Sequence, residues 1–259
     1  MGHVRLGRLP KTREWSQVVA LLAEGADVGK LAAAVAIAAE SELISARGDP
    51  VLANTVWLLT QLPLAARSGR FAAELAALGF EAGSEQSLLN IIAGFSGAVD
   101  SQISGTVGRT DLGELARQAA TESLTSLVGG QMPGLFGTQA DDLQIELAKF
   151  ATKDRFARLS RDFFARLTLK TLNYYLSRVL SDYVGPGRAL PALHDESNFR
   201  DALERHCREA SLIVEQFAGG WFSKANYQRR LTREAAQNFS DYALKKVRDE
   251  LRARRAGDG

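Results

Sequence analysis

The chain has 259 residues, 46% of them hydrophobic and 24% charged, with a formal net charge of +2 and one cysteine. This is an ordinary globular balance, long enough for one large domain or two small ones and rich enough in apolar side chains to build a core. It excludes an intrachain disulfide framework, and no uncharged apolar run reaches the roughly 18–20 residues that a membrane span needs.

The N-terminal residues 1–10 carry basic side chains without the apolar stretch of a secretory leader, so a cytoplasmic protein is expected. Helix punctuation then recurs. Residues 14–23 read as a short helix and 28–47 as an Ala-rich one, with Asp27 as its cap and Gly48 as its stop. Asp49-Pro50 supplies an N-cap followed by proline at the first helical position, a start signal for a helix carrying Trp57, Leu58 and Leu62. Pro63 is expected to kink or end that helix, because it lacks the N–H of the ladder. A shorter helix over 71–78 closes at Gly79.

Residues 79–138 differ in character, holding 11 of the 23 glycines and eight charged residues. Ser84 and the pair Asp111/Glu114 are helix-start signals, the second a capping box with aspartate as the cap. Glycines at 94, 97, 105, 108, 129, 130, 134 and 137 are each unfavourable in a helix interior by about 1 kcal/mol. The expectation is short helices joined by mobile loops.

Residues 139–183 read as one long helix, with Phe156, Leu159, Phe163, Leu167, Lys170 and Tyr174 on one stripe at spacings of three and four. Arg158 and Arg161 fall on the opposite side, flanked by Arg155 and Arg166. Gly185-Pro186-Gly187 opens a linker to Pro191. A helix over 197–218 is expected to stop at Gly219-Gly220, followed by an aromatic and basic segment, 221–230. Thr232 then caps a last helix reaching about Arg254.

The modest net charge conceals an asymmetry: residues 1–148 carry a balance of −6 and residues 149–259 one of +8. Opposed halves can attract within one molecule or between two copies, and the basic half can meet an anionic partner.

Catalytic and metal chemistry finds little support. Zinc and iron sites draw on His and Cys at characteristic spacings, and the chain offers only His3, His194, His206 and Cys207. His206 and Cys207, adjacent on a helix, diverge by about 100°. No nucleophile elbow is present, and a lone helical cysteine is more often a small buried hydrophobe. Gly105-Thr-Val-Gly108-Arg-Thr lacks the ending of a phosphate loop, and Gly94/Gly97 lack the spacing of a dinucleotide fingerprint. Asp141 and Asp142 suit the positive end of a helix dipole better than a paired acid site.

Two features rise above this background. One is the basic helix face, with Lys149, Lys153, Arg155, Arg158, Arg161, Arg166 and Lys170 against Asp154 and Asp162. The other is the segment after Gly219-Gly220, where Trp221, Phe222 and Tyr227 interleave with Lys224, Arg229 and Arg230. Such mixtures suit protein interfaces, where Trp, Tyr and Arg dominate, and also nucleic-acid backbones with unstacked bases.

The reading is therefore an all-α protein of two loosely coupled helical lobes, 1–138 acidic and 139–259 basic. The expected role is a non-catalytic accessory or assembly subunit that binds partner proteins, with no cofactor and no metal. Lys149, Lys153, Arg155, Arg158, Arg161, Trp221, Phe222, Lys224, Tyr227, Arg229 and Arg230 form its candidate binding residues. The alternatives are nucleic-acid binding through the same residues and a membrane-perturbing role for residues 84–138. Against the last, that stretch lacks the Lys/Arg-rich polar face of surface-binding helices.

Overall fold

The computed structural model describes residues 12–24, 28–38, 48–80, 87–103, 110–131, 140–177 and 193–257. Among them are eleven helices and no strand, an all-α architecture. The helices are α1 (Arg13–Ala23), α2 (Val28–Ala38), α3 (Pro50–Ala66), α4 (Phe71–Ala77), α5 (Leu88–Ile103) and α6 (Asp111–Gly129). They continue as α7 (Ala140–Lys149), α8 (Lys153–Leu176), α9 (Leu193–Ala210), α10 (Leu212–Tyr227) and α11 (Arg233–Gly257).

Several starts follow from local chemistry. Asp49 caps α3 by accepting hydrogen bonds from the N–H groups of Val51 and Leu52, both at 2.9 Å. Thr232 caps α11 through Ala235 N–H at 3.1 Å. The cap of α6 is Thr110, which accepts from Gly113 N–H at 2.8 Å, rather than Asp111. Asp111 sits inside the first turn instead and accepts from the Tyr174 hydroxyl at 2.5 Å, tying α6 to the far end of α8. Gly79 closes the turn after α4 with φ +86°, a conformation that glycine adopts without a side-chain clash. Ser84, Asp27 and the linker over 185–191 lie outside the described residues.

Four boundaries differ from the sequence reading, the first being that the helix expected over 197–218 is divided at Ser211 into α9 and α10. Pro63 does not end α3, which continues to Ala66. The proline falls in the last turn, where it forgoes its own bond to the Leu59 carbonyl but leaves the remaining residues helical, and it is buried. The expected long helix is two helices: Phe150, Ala151 and Thr152 form a tight turn, with Thr152 extended ahead of α8. Phe150 and Ala151 are buried, so the break turns the chain while keeping its apolar side inward. Gly219-Gly220, finally, lies within α10 and stops nothing. A Cβ on Gly219 would collide with the backbone carbonyl of Lys153, so the glycine permits close approach of α8 and α10.

Two glycines of the middle region, Gly94 and Gly113, act in the same way. Gly94 and Gly97 sit inside the 16-residue α5, which they do not interrupt. A Cβ on Gly94 would come within 2.8 Å of the Phe80 ring, and one on Gly113 would overlap Val51. Where described, this region is two packed helices of 16 and 19 residues. The glycines at 105, 108, 134 and 137 lie outside the described residues.

The centre of the fold is α8, 24 residues and about 36 Å long. It packs against α10, α6 and α9, while α3 packs against α11, α6 and α7. Phe156, Leu159, Phe163, Phe164 and Leu167 join a main apolar core with α3, α5, α6, α10 and α11. Farther along the same helix, Leu172, Tyr175 and Leu176 enter a second cluster with Trp15, Val18, Leu31, Val35, Phe199 and Leu203 from α1, α2 and α9. Each cluster draws on both sides of residue 138, so the apolar clusters follow a different division from the expected lobes. No helix among the described residues is long and apolar enough to cross a membrane.

Candidate functional site

Helices α8 and α10 run antiparallel. Arg161 pairs with Glu215 at 2.9 Å near the start of α10. Closer to the start of α8, Phe156 stacks on Phe222 with centroids 4.2 Å apart. The first turn of α8 therefore lies against the second half of α10, with Lys153 beside Gly219 and Phe156 on Phe222. The two sequence features thus meet through Phe156 and Phe222; Lys149, Lys153, Arg155 and Arg158 precede or begin α8, and Lys224, Tyr227, Arg229 and Arg230 lie in or just after the last turn of α10.

The residues of the aromatic and basic segment divide into two groups. Trp221 and Phe222 are structural. Phe222 is buried, and the half-buried Trp221 stacks on Phe239 of α11 at 4.1 Å with 19° between planes. Because α10 continues through Gly219-Gly220, both rings turn inward and cannot serve as surface anchors. Tyr227, in contrast, is 91% exposed. Lys224, Arg229 and Arg230 are exposed with it.

The basic face of α8 is likewise smaller than its sequence suggests. Arg161 is engaged by Glu215, and Lys149 by Glu146 of its own helix. Arg166 bonds Asp162 at 2.6 Å and lies 3.6 Å from Glu122, which also holds Lys170 at 2.6 Å. Asp162 reaches Arg208 at 3.5 Å, and Arg208 bonds Glu204 at 2.7 Å. Lys170, Glu122, Arg166, Asp162, Arg208 and Glu204 thus alternate in sign along one chain of contacts spanning α6, α8 and α9. Their charges cancel, and all but Asp162 line a cleft of about 220 Å³ together with Asn173. Four of the seven cations are consequently neutralised within the protein. Lys153, Arg155 and Arg158 retain no ion pair among the described residues, with Lys153 and Arg158 exposed and Arg155 half-buried.

The turn that carries Arg229 and Arg230 is anchored to α3. The indole N–H of Trp57 donates to the Leu231 carbonyl at 3.1 Å, and the Gln61 amide donates to the same oxygen at 3.4 Å. Arg233 lies over the Trp57 ring at 4.0 Å and donates through Nε to Asn54 Oδ1 at 3.1 Å. None of Asn54, Trp57, Gln61 or Arg233 stands out as a site residue in the sequence. The three from α3 lie about 170 positions or more from the residues they hold, and no local spacing announces such a contact. The Asp162/Arg166, Glu204/Arg208 and Glu146/Lys149 pairs did carry a readable signal, a spacing of three or four within a helix.

Catalytic groupings are scarce. Among the described residues no cluster of three or more His, Cys, Asp or Glu side chains is placed to hold a metal ion. Cys207 is fully buried, and burial pushes its thiol well above the usual range, which keeps it protonated and unreactive. Comparison with protein-family models, with curated proteins and with solved structures returned no match.

Proposed function

We propose that the protein is a non-catalytic accessory or assembly subunit that docks an acidic segment of a partner protein at the unpaired cations of α8 and of the C-terminal part of α10 and the turn after it. The observation that carries this reading is the set Lys153, Arg158, Lys224, Arg229 and Arg230, all exposed and without an ion pair among the described residues. Elsewhere on α8 the fold supplies acids to its cations, through Glu122, Asp162 and Glu215. Here Asp154, Glu146 and Glu234 leave the local balance positive, and an external anion completes it.

Protein is favoured over nucleic acid because the interleaved aromatics are mostly withdrawn. Trp221 and Phe222 are taken into the core, leaving Tyr227 alone where stacking on unpaired bases calls for a series of exposed rings. The membrane reading loses support as well, since α5 and α6 direct Leu88, Ile91, Phe95, Leu112 and Leu124 into the main core.

The test is isolation of the tagged chain with its partners, beside the double variant Arg158→Glu and Arg230→Glu. Both sites are exposed, so the melting temperature should be unchanged while one protein partner is lost. That partner should survive nuclease treatment in the parent complex. Retention of every partner by the variant, or dissolution of the complex by nuclease, would remove the proposal.

A further inference from the structure

Helices α4 and α10 end in the same hydrogen-bond pattern. After α4, Gly79 N–H donates to the Ala76 carbonyl and Phe80 N–H to the Leu75 carbonyl, both at 3.0 Å. After α10, Arg229 N–H donates to the Asn226 carbonyl at 3.0 Å and Arg230 N–H to the Ala225 carbonyl at 2.8 Å. In each case a bond spanning six residues satisfies a carbonyl at the helix end, and the residue before its donor takes a left-handed backbone. At the first end that residue is glycine, with φ +86°; at the second it is arginine, with φ +53°. Gly48, at φ +81°, is another left-handed position, so Arg229 is the one non-glycine residue with positive φ among those described.

A Cβ makes this conformation unfavourable, and stability alone would select glycine there. Nothing within the described residues compensates through the side chain: the Arg229 guanidinium is exposed and engages no ion pair. The conformation is instead imposed by the surroundings. Trp57 and Gln61 fix the Leu231 carbonyl two residues downstream, and Arg233 is held between Trp57 and Asn54. A backbone strained at one residue and clamped by its neighbours characterises sites where the side chain serves something beyond folding.

We propose that Arg229 is the anchoring contact of the docking face, held by this clamp to form a two-pronged hydrogen bond with a carboxylate on the acidic segment of the partner. The planar guanidinium matches a carboxylate in geometry, which an ammonium does not. Tyr227, two positions earlier in the chain, is also exposed, and Tyr and Arg are enriched among residues that dominate interface energies. Because the turn is fixed before binding, less chain entropy is lost on association. This assignment rests on the docking reading above.

The experiment uses a fluorescently labelled oligo-glutamate peptide as probe, with binding followed by anisotropy and stability by thermal unfolding. Arg229→Gly should raise the melting temperature by about 2 °C as the strain is relieved. It should weaken peptide binding by about tenfold or more. Arg229→Lys keeps charge and strain but loses the fork, so it should leave the melting temperature unchanged and weaken binding several-fold. A lower melting temperature for Arg229→Gly would assign the arginine to the fold and overturn the inference. Parent-like affinity of Arg229→Gly, with binding still abolished by Arg158→Glu, would overturn the Arg229 assignment and leave the docking reading standing. No binding of the peptide by the parent chain would overturn both, and tighter binding of an oligo-thymidine strand would overturn the choice of an acidic peptide.

Discussion

Trp221 lies face to face with Phe239, centroids 4.1 Å apart, so the most prominent aromatic of the 221–230 segment joins α10 to α11. Phe239 in turn meets Phe164 of α8 edge-on at 6.0 Å, and one ring thereby links three helices.

Replacing Trp221 with Ala should therefore destabilise the protein, by about 3 kcal/mol given that the ring is partly exposed. Tyr227→Ala should change stability by no more than about 0.5 kcal/mol. Urea unfolding of the two variants checks the contrast; equal effects would show that the two aromatics have similar burial in solution.

The adjacent glycines of α10 should respond in opposite directions. Gly220 has open space around it, and Gly220→Ala should stabilise the helix by up to about 1 kcal/mol through propensity. Gly219→Ala gains the same propensity but drives a methyl group into the Lys153 carbonyl, forcing α8 and α10 apart. Its melting temperature should fall below the parent's.

Asp162 joins two arginines from different helices, and its side chain is 11% exposed. Asp162→Asn should cost about 1–2 kcal/mol, since it leaves Arg166 and Arg208 without their shared acid in a partly sheltered cleft. Chemical denaturation with urea checks this, and high salt should narrow the gap between variant and parent.

The thiol of Cys207 should resist alkylation in the native protein and react on unfolding. Its folded pKa is raised by burial, so the unfolded chain releases the thiol proton at a lower pH than the folded one. The contribution of the neutral thiol is complete below its ordinary value and declines as pH rises past it, by up to about 1.4 kcal/mol per pH unit. Between about pH 8 and 10, the range around the ordinary thiol value, Cys207→Ala should lose stability less steeply than the parent.

The legible parts of this fold are those set by short-range chemistry. Asp49-Pro50, Thr232 and Gly79 mark helix ends through groups within three residues of the backbone they serve, and each marks an end in the structure. The turn at Phe150–Thr152 escaped because it contains no glycine or proline and keeps the apolar spacing of its flanks. Gly219 misled for the converse reason. A glycine in a helix signals either a stop or a close neighbour, and only the position of Lys153 in space decides between them. The candidate site was half legible. Its cations are plain in the sequence, but which remain free depends on Glu122 and Glu215, acids 48 and 54 positions from the Lys170 and Arg161 that they neutralise.

Helix α8 serves both apolar clusters on one unbroken backbone ladder, and this governs how the molecule opens. Loss of the cluster around Trp15 and Tyr175 would strip the last turns of α8 of their covering. Fraying would then run directly toward the main core, at Leu167 and Phe163. The two clusters are thus wheels on a shared axle, and neither comes loose without loading the other. Amide exchange along α8 should accordingly show a single cooperative opening from Phe163 through Leu176, in place of two steps with separate free energies.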